Sequence, residues 1–66
     1  MVQQLTTSNE ILEAALNMEM QARAFYAELE RNCSVDFVKE LLLTLENEET
    51  KHVHLIQKML ARVEAG

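Results

Sequence analysis

Between Met1 and Ala65 the chain contains no proline and no glycine; the single glycine is the last residue, Gly66. No residue type in that stretch interrupts a helix by itself. Ala, Leu, Glu, Met, Gln and Lys dominate, all good helix formers, and β-branched residues are few and scattered. The expected class is all-α. With 66 residues there is room for one small domain, 1–66, and a core of that size is marginal for a chain standing alone. Yet 48% of the residues are apolar. So much apolar surface on so small a body implies that part of it meets another chain.

Start and stop signals divide the chain. Met1 to Leu5 read as a short tail. Thr7-Ser8-Asn9-Glu10 is a helix start, with Thr7 and Glu10 at capping-box spacing and Ser8 or Asn9 as alternative caps. A helical pattern then runs over about 8–31. Asn32-Cys33-Ser34 is the one plausible turn. Ser34 is placed to cap a second helix over about 35–64, with Asp36 favourable to the dipole of its first turn. A short connection between two long helices makes an antiparallel hairpin.

Each helix carries a seam at steps of three and four. On the first it is Leu12, Ala15, Glu19, Ala22, Tyr26 and Leu29; on the second Val38, Leu42, Leu45, Glu49, His52, Ile56, Met59 and Val63. Ile11, Met18 and Phe25 widen the apolar face of the first helix, and Leu43 and Val53 fall beside the stripe of the second. Two carboxylates and an imidazole interrupt these seams. Glu19 lies fourteen residues before Cys33 and Glu49 sixteen after it, so in a hairpin turning there Glu19, Glu49 and His52 meet at one height.

An ionised carboxylate in an apolar seam is costly unless it is paired or binds a metal. Glu-x-x-His puts two ligands on one helix face, and carboxylate-bridged dimetal bundles use one Glu from each of two helices plus one Glu-x-x-His from each of the other two. Glu19 together with Glu49-Thr50-Lys51-His52 is half of that set. A two-fold dimer would supply the other half, giving a four-helix bundle with two metal ions near its axis. Oxygen and imidazole donors without thiolate suit iron or manganese. Glu19, Glu49 and His52 are therefore the candidate metal-binding and catalytic residues. Against this stands a plainer reading, in which the polar seam residues only set helix register in a metal-free interaction module. Tyr26 is either a phenol hydrogen-bonded to a ligand carboxylate or an ordinary core aromatic. His54 falls off the seam, and Glu46 and Glu48 read as a solvated acidic face.

A net charge of −5 argues against nucleic acid or an anionic membrane surface as partner. One cysteine, Cys33, excludes a disulfide framework and a four-cysteine metal site within the chain. The first residues have neither the basic nor the apolar region of a secretory leader, and no apolar run is long enough to span a bilayer. The expected location is the cytoplasm.

The run from Ile11 to Glu19 and on to Phe25-Tyr26 resembles the first helix of rubrerythrin and ferritin-like domains, and Leu45 to His52 resembles their ligand-bearing second helix. The resemblance covers about Glu10 to Leu60. A two-helix chain is similar to the encapsulated ferritins and related half-ferritins. That implies an Fe²⁺-oxidising di-iron centre between two subunits, with Glu19, Glu49 and His52 as ligands and Tyr26 beside them, in homodimers that assemble into rings. It also implies a rival activity, a rubrerythrin-type peroxidase or oxidase drawing on an external reductant. Met18 and Gln21 stand where the encapsulated relatives carry acidic entry-site residues. Those relatives also carry a targeting peptide for an encapsulin shell; such a shell stays open as a partner and compartment, without support from Ala65-Gly66.

Overall fold

The computed structural model describes residues 7–66, so the tail expected over Met1 to Leu5 lies outside the described residues. Two helices make up the architecture, α1 (Ser8–Arg31) and α2 (Asp36–Ala65), packed against each other as a hairpin. The all-α expectation holds.

The start of α1 is set by the capping box. Thr7 is extended, its hydroxyl accepts from the Glu10 backbone N–H at 3.0 Å, and its own N–H donates to Glu10 Oε1 at 3.1 Å. At the other end, Asn32 keeps right-handed geometry and donates its side-chain amide to the Glu28 carbonyl at 3.1 Å. Backbone N–H groups of Asn32 and Cys33 also reach the Glu28, Leu29 and Glu30 carbonyls, so the helix end is capped without a left-handed residue. The second start differs from expectation. Ser34 does not cap α2: the N-cap is Val35, in extended conformation and with no side-chain capping bond. The connection is one residue longer than the three-residue turn, because the β-branched Val35 takes the extended position before Asp36 opens the helix.

Most of the expected seam is half-buried, Leu12 to Tyr26 on α1 and Val38, Leu42, Leu45, Glu49, Ile56 and Met59 on α2, but the centre of the contact is displaced to one side of it. Among the described residues only Val53 and Leu60 are buried, and neither belongs to the seam read on α2. Val53 belongs to a ladder at steps of four and three, Leu42, Glu46, Glu49, Val53, Ile56 and Leu60, that lies against α1 and is half-buried or better throughout. On α1 the matching ladder is Leu12, Leu16, Glu19, Arg23, Tyr26 and Glu30, all half-buried. The expected seam is wider than one hairpin covers. One edge is packed inside, and the other stays open.

That open edge carries a row of large apolar side chains. On α1 it is Ile11, Met18, Phe25 and Leu29, between 39% and 70% exposed, with the first three at seven-residue intervals. On α2 it is Leu41, 56% exposed, with half-buried Leu45 and Met59 beside it. Ile11 and Met59 line one groove together with Leu12, Ser8, Arg62 and Val63, which puts the two rows on the same side of the hairpin. Val53 and Leu60 make a small core beneath an open apolar face.

Candidate metal centre

The Glu-x-x-His spacing of α2 projects Glu49 and His52 from one face, and α1 brings Glu19 opposite them. His52 Nδ1 lies 2.7 Å from Glu19 Oε1, a cross-helix hydrogen bond, and 3.8 Å from Glu49 Oε2, too long for one. One donor atom from each of Glu19, Glu49 and His52 lies within 4.8 Å of the other two. Among the described residues this is the one group of three or more His, Cys, Asp or Glu side chains close enough to hold a metal ion.

The three are unequally shielded. Side-chain exposure is 16% for Glu49, 27% for Glu19 and 50% for His52, so the imidazole is the most open to solvent of the three. Oε2 of Glu49 is shut off from solvent and has no hydrogen-bond partner. Burial pushes the Glu49 carboxyl above its ordinary range; the neighbouring Glu19 carboxylate adds to the rise, His52 opposes it, and Glu48 adds a little more. A dehydrated carboxylate oxygen beside a second carboxylate is a cost that a divalent cation removes. The donor set, two carboxylates and one imidazole, is the chemistry that iron and manganese accept. The residues present fit such an ion.

Other singled-out residues fall elsewhere. Tyr26 is half-buried and its ring lies 6.0 Å from that of Phe25, centroid to centroid. No hydrogen bond joins its hydroxyl to Glu19, Glu49 or His52 within the hairpin. His54 lines a shallow outer groove with Thr50, Lys51, Leu55 and Lys58 and is not among the grouped donors. Glu48 is exposed and pairs with Lys51 at 3.3 Å. Glu46, read as part of a solvated face, is instead half-buried on the ladder facing α1. The seven-residue spacing from Glu46 to Val53 and Leu60 could have revealed this.

Fold and site together define a helical hairpin bearing a candidate carboxylate–histidine metal site. The chain belongs to the rubrerythrin family, within the ferritin-like superfamily: the family's model matches residues 10–66. No curated protein and no solved structure matches it. Membership implies an iron-binding, ferritin-like protein of the di-iron kind. Among the described residues no helix is long and apolar enough to cross a membrane.

Proposed function

We propose that the chain is half of a ferroxidase-like protein whose centre forms between two copies. Two hairpins pair through the open apolar face, and Glu19, Glu49 and His52 of each copy surround two iron ions. The observation that carries this reading is the convergence of the three donors from two helices, with His52 half-exposed. One hairpin supplies two carboxylates and one imidazole; a di-iron bundle site uses twice that set.

The residues would act by charge and position. Four carboxylates from two copies match the charge of two ferrous ions and hold the ferric ions more tightly still. Imidazole Nδ1 of His52, oriented from α2, fixes one ligand position per copy, and Glu49, the most shielded of the three, sits deepest. The apolar rows around the pocket would exclude bulk water once covered. Iron, as the substrate bound there, supplies one electron per ion to oxygen or peroxide.

A metal-free module, the rival reading, leaves the buried and unpartnered Glu49 oxygen without a purpose. The family match favours a second catalytic reading, a rubrerythrin-type peroxidase fed by an external reductant. Stopped-flow absorbance after aerobic addition of Fe²⁺ tests the first activity, and peroxide turnover with a reductant tests the second. Wild-type oxidation rates in Glu49→Ala and His52→Ala would overturn the ferroxidase reading.

A further inference from the structure

We infer that a single hairpin takes up one divalent metal ion of its own through Glu19, Glu49 and His52, before any second copy arrives, so that the dinuclear centre is assembled from two preloaded halves. This rests on the metal-binding reading above and adds to it an order of events.

The geometry within one chain is already close to a coordination face. Bonds of about 2.1 Å put adjacent donors of an octahedral ion about 3 Å apart. Nδ1 of His52 is 2.7 Å from Glu19 Oε1 and 3.8 Å from Glu49 Oε2, so the imidazole already lies within about an ångström of that spacing from each carboxylate. Within one hairpin the Glu19–His52 hydrogen bond already draws two of the donors together, and one Glu49 carboxylate oxygen beside them is shut off from water without a hydrogen-bond partner. The desolvation that usually opposes ion binding at a protein surface is therefore partly met in the fold itself. The side left open, toward half-exposed His52, leaves positions for water on the ion or for donors from a second chain.

Charge gives the order. Two empty hairpins meeting face to face bring four carboxylates together in a site that excludes water, and like charges repel strongly there. A hairpin that holds one M²⁺ against its two carboxylates is neutral at the site. Two neutral sites framed by Ile11, Met18, Phe25 and Leu41 can be buried against each other without that repulsion.

The test is a Co²⁺ titration of the full chain followed by native mass spectrometry, with Phe25→Lys as a copy impaired in pairing. The expected result is a monomer carrying one Co²⁺ at sub-stoichiometric metal, ahead of a dimer carrying two. Phe25→Lys should bind one Co²⁺ per chain, and His52→Ala in that background should lose it. Circular dichroism reports whether Phe25→Lys is folded; if it is not, the wild-type species distribution decides alone. A metal-free dimer that loads two ions with no loaded monomer on the way would overturn the order proposed here and leave the shared centre standing. Absence of Co²⁺ from every species would overturn both.

Discussion

His52 Nδ1 lies 2.7 Å from Glu19 Oε1, although thirty-three positions separate the two residues in the chain. This is the one side-chain hydrogen bond between α1 and α2 among the described residues, and it joins two members of the candidate centre. The same nitrogen cannot both donate a proton to Glu19 and bind a metal. Metal uptake at Nδ1 breaks this bond and puts the ion in the place of the proton.

The first prediction follows from that exchange. Loss of an orienting partner outside the ligand set commonly lowers metal affinity 10–100-fold, so loss of a ligand should cost at least about 100-fold. His52→Ala and Glu19→Ala should each weaken Co²⁺ binding by that factor in calorimetric titration. His54→Ala, on the outer groove, should leave it within about twofold. Equal effects of His52→Ala and His54→Ala would rule out the site.

Glu49 makes the metal-free protein sensitive to pH. Its carboxyl is raised above the ordinary value of 4.5, first by burial and then by Glu19, so the folded state binds this proton more tightly than the unfolded chain. The stability it contributes is present at acid pH and is lost as pH rises from 4.5 through the raised value. Thermal melts of the metal-free protein between about pH 4 and pH 8 should show wild type losing ground to Glu49→Gln as pH rises. A difference between the two that is constant with pH, or that grows in favour of wild type, would contradict the assignment.

Helix content, the hairpin and the capping box at Thr7 were legible because each depends on local chemistry: no breaker residues, and a Thr and a Glu at the required spacing. The meeting of Glu19, Glu49 and His52 was legible too, since distance from the turn sets height in a hairpin. Most of the seam was legible as well, but the centre of the contact was not. Steps of three and four allow two neighbouring ladders on each helix, and an apolar face wide enough for both does not say which one meets the first partner. Val53 thus read as lying beside the stripe and is the most buried residue described, while Val63, on the expected seam, is 41% exposed. The start of α2 was misread for a different reason. Ser34 has the right chemistry for a cap, but the backbone leaves its extended form only after Val35.

The contact line gives a contrast in stability. Leu60 is 7% exposed and Leu43 is 48% exposed. Leu60→Ala should cost about 2–5 kcal/mol, lowering Tm by roughly 10 °C or more. Leu43→Ala should stay within about 0.5 kcal/mol. Calorimetric melts of the two variants at equal concentration check this, and similar losses in both would mean that the interior of the hairpin is elsewhere.

Helix starts give a matched pair. Thr7→Ala removes the acceptor for the Glu10 N–H and should cost about 1 kcal/mol. Val35→Ser supplies a cap that α2 lacks and should add up to about 1 kcal/mol, at little cost in packing because Val35 is 45% exposed. Urea unfolding should move the two midpoints in opposite directions.

The last prediction concerns the open face. Ile11, Met18, Phe25 and Leu29 on α1 and Leu41 on α2 are each more than a third exposed, while among the described residues only Val53 and Leu60 are buried. A chain in that condition gains more from covering this face than from any rearrangement inside, so at micromolar concentration it should sediment as a dimer or larger. Burying a Phe or Leu side chain is worth about 1.5–3 kcal/mol, and 1.4 kcal/mol is a factor of ten. In a two-fold pair both copies carry any substitution, so Phe25→Lys or Leu41→Lys should raise the dissociation constant at least about 100-fold. Leu43→Lys places the same charge at a similarly exposed leucine outside these rows and should leave association unchanged. Sedimentation equilibrium on the wild type and the three variants separates a specific face from general stickiness. A wild-type chain that stays folded and monomeric would remove the basis for a shared centre. Equal weakening by all three substitutions would mean that the rows of Ile11 and Leu41 are not the surface that pairs.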